Sequence, residues 1–160
     1  MPKEVKTNAM RILDRKKIHY EVITYECDEF IDGLHVADIT GTPYDQSYKT
    51  LAARGKSGAY YVFVIPIARE LDLKSAAKAV GEKSVELLHV KEINAVTGYI
   101  RGGVSPIGMK KQYVTVFHSD AQNYPFIYIS GGRCGSTVKL APADAAKAAS
   151  GSFADICLPL

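Results

Sequence analysis

Three short stretches of this chain combine residue types that can act on a substrate oxygen. The first is Ser47-Tyr48-Lys49-Thr50-Leu51, in which a lysine stands inside a strand-like run. Counting by twos, Lys49 shares a face with Leu51 and Ala53, while Tyr48, Thr50 and Ala52 take the other, and neither face is polar. An ammonium there either sits at a solvated sheet edge, where it discourages strand pairing, or anchors a carbonyl or phosphate oxygen in a pocket. The second stretch is the loop Arg101 to Gly108, RGGVSPIG, and the third is Ser130 to Gly135, SGGRCG. Paired glycines let main chain approach a ligand or turn successive N–H groups into one concavity. Either loop by itself also reads as a tight turn. Two such loops at strand ends plus a strand lysine favour one shared pocket that stabilises negative charge on oxygen.

Other chemistries lack their residues. No G-x-S-x-G nucleophile elbow is present. The three cysteines, Cys27, Cys134 and Cys157, form no C-x-x-C, so neither a disulfide framework nor a zinc knuckle is implied. Each reads as a small buried apolar residue. The four histidines are scattered, and no metal or cofactor is expected. Gly55-Lys56-Ser57 resembles the end of a phosphate-binding P-loop, but Thr50 stands where that motif needs its first glycine, and a strand follows instead of a helix.

The elements that must position these residues follow from periodicity and caps. Thr7 caps a helix running to about Lys17, and residues 19–26 alternate as a strand. A short helix ends at Gly41, and a strand opens near Ser47 to Ala53. A glycine-rich hairpin turn, RGKSG, then leads into AYYVFVIPIA, apolar on both faces and read as a central buried strand. Asp72 caps a helix stopped by Gly81, a short strand SVELL follows, and the next helix stops at Gly98. Strands QYVTVFHSD, PFIYIS and TVKLA read as an antiparallel meander, and Pro142 opens a last helix. The expected class is α+β: a mixed, largely antiparallel, barrel-like sheet surrounded by helices, one domain over residues 1–160.

Composition sets outer bounds. With 47% hydrophobic and 23% charged residues, the chain can bury an ordinary core. A net charge of +3 is compatible with a polyanionic partner but does not demand one. The opening residues, MPKEVKTNAM, lack the apolar segment of a secretory signal, and the longest apolar run is too short to cross a bilayer. No membrane association and a reducing cytoplasm are expected.

The stretches TNAMRILDRKKIHYEVITYE, YKTL, LDLKSAAKAVGEKSVELL, TGYIRGGVSPIGMKK, YISGG and LAPADAAK…FADI occur in the order found in the YbaK/EbsC family, and the chain resembles that family over nearly its whole length. The family comprises bacterial aminoacyl-tRNA deacylases, notably of Cys-tRNA(Pro), and is related to the editing domain of some prolyl-tRNA synthetases. The resemblance implies the YbaK-like fold and a hydrolase that removes a mischarged amino acid from a tRNA 3′ end. It implies Lys49 as the functional lysine, with Thr50 beside it, and Tyr25 as the pocket tyrosine. It implies Gly102, Gly103, Val104, Ser105 and Pro106 as the loop whose amides meet the scissile carbonyl, and Gly131, Gly132, Arg133 and Thr137 as the second wall. In the cysteine-specific members the substrate's own thiol is implied as the attacking group. Aminoacylated tRNA, and prolyl-tRNA synthetase as supplier of tRNA identity, are the implied partners.

This sequence departs from the family pattern in places. Many relatives carry Lys-Arg-Gly-Leu-Asp where this chain has Arg133-Cys134-Gly135-Ser136-Thr137, and His35 stands where an acid is usual. Two alternatives therefore stay open: a deacylase for another mischarged product such as Ala-tRNA(Pro), or a non-catalytic tRNA-binding module. Arg54, Lys56, Lys110, Lys111 and Arg133 are candidate phosphate contacts.

Overall fold

The computed structural model describes residues 6–159. In chain order these form α1 (Asn8–Arg15), β1 (Glu21–Thr24), α2 (Gly33–Thr40), β2 (Tyr48–Gly55), β3 (Tyr60–Pro66), α3 (Leu73–Val80), β4 (Val85–Leu87), α4 (Val90–Thr97), β5 (Val114–His118), β6 (Ile127–Ser130), β7 (Ser136–Leu140), α5 (Pro142–Ala149) and β8 (Ser152–Ala154). Local chemistry fixes the helix ends. The Thr7 hydroxyl accepts from the Met10 N–H at 3.2 Å. Asp72 accepts from the amides of Lys74 and Ser75, satisfying first-turn N–H groups that have no partner inside the helix. Three helices end on a left-handed glycine, at Gly41, Gly81 and Gly98.

The strands form two sheets, one ordered β4-β2-β3-β5-β8 and the other β1-β7-β6. β3 sits at the centre of the larger sheet. Its Val62 and Val64 join a core with Met10 and Leu13 of α1, Ile127 and Ile129 of β6, Val138 of β7 and Ala145, Ala146, Ala148 and Ala149 of α5. Its Phe63 and Ile65 join a second core with Ala76 and Ala77 of α3 and with Ile156. A strand buried on both faces has no polar alternation, which is why its sequence is one continuous apolar run.

The α+β class and mixed sheet of the sequence reading are found, with two amendments. The sheets are open rather than closed into a barrel; among the described residues a parallel bridge, Ser47 to Tyr128, links them. The three late strands do not form a meander. β6 and β7 pair antiparallel, but β5 lies parallel to β3 and to β8, in the other sheet. Two features divert the chain. β5 is itself buried at Thr115, Val116, Phe117 and His118, which suits an interior strand. A short 3-10 turn at Ser119–Asn123 then carries it to the second sheet. β8 lies in a stretch the sequence reading leaves without a strand.

One detail of the larger sheet matters for function. β4 pairs with β2 only from Ala53 to Gly55, whereas β3 pairs with it from Tyr48 to Arg54. Between the Ser47 bridge and Ala53, β2 therefore has no strand on its second side among the described residues. Gly55 N–H bonds towards β3 while Lys56 N–H and Ala52 C=O bond towards the β4 side. Ladder alternation thus turns the main-chain groups of Thr50 to the open edge.

Candidate active site

The open stretch of β2 forms the floor of a cleft of about 490 Å³. Ser47, Tyr48, Lys49, Thr50 and Leu51 all line it, because the cleft wraps the free edge and meets side chains from both faces. One wall is the segment leading into α2 and the helix itself, with Phe30, Ile31, Leu34, Val36 and Ala37. Ser130 and Thr137 come from the smaller sheet, Tyr25 from the position just past β1, and Arg101, Gly102 and Val104 from the first glycine loop. The size lies within the range that takes small molecules, and the apolar walls with a few polar groups are what such sites need.

Lys49 is half-buried and faces Ile65 across the ladder. No carboxylate among the described residues lies within ion-pair distance of it. A cation left unpaired inside a cleft is free to meet an anionic or carbonyl oxygen. Beside it, the Thr50 hydroxyl is buried and has no hydrogen-bond partner among the described residues. Arg101 adds a second cation at the rim, its guanidinium 3.9 Å from the Phe30 ring centroid. Asp32 supplies the carboxylate. It accepts from the His35 N–H at 2.9 Å and lies 2.8 Å from His35 Nδ1. Those two hydrogen bonds, the main-chain one first, hold its pKa below the ordinary carboxylate value.

The two glycine loops meet. A side chain at Gly103 would place its first carbon 2.5 Å from Arg133 Cα, so this glycine allows one loop to lie main chain on main chain against the other. Beyond that contact they behave differently. In the first loop, Gly103 N–H donates to Ile100 O at 2.8 Å and Ile107 N–H to Ser105 Oγ at 3.2 Å. No protein hydrogen bond among the described residues takes the amides of Gly102 or Val104. In the second loop both glycines of the pair spend their amides internally, while those of Arg133, Cys134 and Gly135 take no protein hydrogen bond among the described residues. Gly131 N–H donates to Ser136 O, Gly132 N–H to Ser130 Oγ and Ser136 N–H to Arg133 O, while the Thr7 hydroxyl donates to Gly131 O.

Of the residues singled out from sequence, Tyr25, Lys49, Thr50, Gly102, Val104 and Thr137 therefore share the cleft. Gly103, Ser105, Pro106, Gly131, Gly132 and Arg133 lie outside its lining; Gly103 and Ser105 are buried behind it, and Pro106 faces another groove. The apolar wall was not foreseen, because its residues are dispersed along the chain and converge only through packing. The Asp-x-x-His pattern of Asp32 and His35 at a helix start was the one local signal available.

The cysteines also depart from expectation. Cys157 is buried as expected, and burial pushes its thiol up to about 11, so it stays protonated near neutrality and is no nucleophile. Cys27 and Cys134 are only half-buried and form a disulfide, with Cα atoms 5.7 Å apart. Their separation of 107 residues hid the pairing.

A second groove, of about 380 Å³, opens on the other side of the first glycine loop. Pro106 and Gly108 form one bank, and Arg15, Lys16 and Lys111 bring positive charge with no acidic residue among those lining it. The other proposed phosphate contacts are placed elsewhere. Arg54 is paired with Glu92 and lies over the Tyr60 ring, and Lys56 is at the tip of the β2–β3 hairpin.

Cleft, unpaired lysine and paired glycine loops together define a small ligand site suited to holding an anionic oxygen. The comparisons give the class. A family described as "Aminoacyl-tRNA editing domain" matches residues 34–148. Over 152 residues, 94% of this chain and 93% of the relative, the sequence is 43% identical to a protein of Enterococcus faecalis named "Putative Cys-tRNA(Pro)/Cys-tRNA(Cys) deacylase EbsC". This chain belongs to the aminoacyl-tRNA editing domain family, whose members are hydrolases of aminoacyl esters. Two solved structures share the fold. One, described as "a putative trans-editing enzyme for prolyl tRNA synthetase", has a TM-score of 0.83 at 22% identity, covering 98% of this chain and all (100%) of its own. The other, hypothetical protein APE2540, has a TM-score of 0.85 at 22% identity over 95% of this chain and 100% of its own. Among the described residues no helix is long and apolar enough to cross a membrane.

Proposed function

We propose that the chain releases cysteine from mischarged Cys-tRNA(Pro), acting in trans on the aminoacylated 3′ end. The observation that carries this reading is that Lys49, without a carboxylate partner, and Gly102 and Val104, whose amides take no protein hydrogen bond among the described residues, line one cleft. Lys49 and those amides hold the ester carbonyl oxygen as charge develops on it. The substrate thiol attacks the carbonyl carbon, its proton leaves on the ribose oxygen, the protein orients the two ends of this ring closure, and water then opens the released thiolactone to cysteine. Phe30, Ile31 and Leu34 take the small side chain, and Tyr25 lies within the same walls. No protein nucleophile is required, in keeping with the protonated Cys157.

The phosphodiester backbone beyond the terminal nucleotide is gripped by the groove of Arg15, Lys16 and Lys111. Val104 in the cleft and Pro106 in the groove are two residues apart, so at most about 7 Å separates the banks of the two cavities. Prolyl-tRNA synthetase supplies tRNA identity that so small a contact surface does not.

The test is release of labelled cysteine from Cys-tRNA(Pro). Lys49→Ala is expected to lower kcat/KM by about 10²–10³, the usual effect of removing one preorganised charge-stabilising group, with unchanged unfolding stability. Wild-type rates in that variant would remove Lys49 from the site. A panel of aminoacyl-tRNAs, alanyl-tRNA(Pro) included, fixes the amino acid removed.

A further inference from the structure

The disulfide lies at the mouth of the cleft. Cys27 belongs to the strap of residues 26–31 that joins β1 to the cap of α2, and Cys134 belongs to the second glycine loop. Phe30 and Ile31 of this strap line the cleft. Yet the strap is mostly exposed, and among the described residues no main-chain to main-chain hydrogen bond holds residues 26–31. Main-chain anchors stand only at its ends, where Tyr25 N–H donates to Gly135 O at 3.0 Å and Val36 N–H to Asp32 O at 3.0 Å. Between them, among the described residues, the strap is fixed through side chains: Phe30 against Arg101, Cys27 to Cys134, and Cys134 Sγ 3.7 Å from Glu29 O. Phe30 and Cys134 reach the same spot. A carbon added at Gly102 would meet Phe30 Cδ1 at 3.3 Å and Cys134 Sγ at 3.9 Å.

From this placement we infer that Cys27 and Cys134 are a reversible thiol-modification site that sets the affinity of the cleft by tethering its apolar wall. The Cα separation lies inside the range that a disulfide spans without main-chain movement, and both residues are accessible to a small reagent. With a small-molecule disulfide such as oxidised glutathione as oxidant, one protein thiolate attacks the reagent's S–S bond and expels one glutathione thiolate. The second protein thiolate then attacks the mixed disulfide, closes the Cys27–Cys134 bond and expels the other. The protein loses two electrons and two protons, and the reagent becomes two molecules of glutathione. Oxidised, the strap holds Phe30 and Ile31 in place; reduced, it samples other positions, and ligands bind only the fraction correctly placed. The affinity half of this inference rests on the reading of the cleft as the aminoacyl site.

The experiment uses the whole chain, reduced with dithiothreitol or oxidised with glutathione disulfide, with the redox state verified by intact mass. The probe is 3′-seryl-amino-3′-deoxyadenosine, a non-hydrolysable mimic of the aminoacyl end without a thiol of its own, titrated by calorimetry. Hydrogen exchange of residues 26–31 is followed in parallel. The oxidised form is expected to bind about tenfold more tightly, the factor for a wall in place about a tenth of the time when untethered, and to protect the strap from exchange. Cys27→Ser is expected to match the reduced form whether or not oxidant is present. Equal strap exchange in both forms, or a pair that does not oxidise in the folded protein, overturns the tether. Protection without a change in affinity overturns its coupling to the cleft. Protection with no binding by either form upholds the tether and overturns the aminoacyl reading instead.

Discussion

The two glycine loops look alike in sequence and do different things. Residues 101–108 and 130–135 each carry a glycine pair after an apolar stretch, and in the fold they touch through Gly103 and Arg133. The first leaves the amides of Gly102 and Val104 uncommitted along the cleft that Lys49 also lines, whereas the second commits both amides of its glycine pair to its own turn and the Gly131 carbonyl to Thr7. A glycine pair therefore reports close approach of main chain, and whether a ligand is what approaches depends on where the neighbouring hydrogen bonds go.

Substitutions at three positions sharpen that contrast. The largest effect is expected at the contact itself. Gly103→Ala drives a methyl into Arg133 main chain, and a clash with backbone rather than with a flexible side chain costs about 3 kcal/mol. Chemical denaturation should show that loss, with deacylation falling as both loops shift. A variant as stable and active as wild type would mean the loops are not held together there.

Gly132→Ala comes next. Its φ of 101° is strained for any side chain, and the added carbon would lie 3.0 Å from Thr7, so about 1–2 kcal/mol of stability should be lost. Because Gly132 does not line the cleft, kcat/KM of the folded enzyme should stay within about twofold; a loss like that of Lys49→Ala would give the second loop a direct part in the reaction. The smallest effect is on pH. Asp32 has a folded-state pKa below its ordinary 3.8. Its contribution to the α2 cap is present above pH 3.8 and is lost as pH falls below that value through the folded pKa. Thermal unfolding of Asp32→Asn should accordingly show less acid sensitivity than wild type, and parallel curves would remove the effect.

What was legible in the sequence was whatever short-range chemistry decides. Thr7, Asp72 and the terminal glycines at 41, 81 and 98 mark helix ends because a cap needs only its own few residues. β3 announced itself because burial on both faces erases alternation. The place of Lys49 in a strand was visible for the same reason. The parallel pairing of β5, the short strand β8, the apolar wall and the cysteine pair were not, since each depends on contacts between distant segments that no local period encodes. The cysteines misled most: small buried residue was the sound reading for each alone, and it describes Cys157 only.

The half-partnered β2 strand has a consequence for how copies of this protein coexist. A bare stretch of strand is adhesive, since it offers another polypeptide a row of donors and acceptors to zip onto. Here that stretch lies recessed beneath Phe30 and Leu34, at the bottom of a hollow wide enough for one small molecule. The same recess proposed to take the amino acid is too narrow for another strand, so on that proposal selectivity and colloidal good behaviour come from a single piece of architecture.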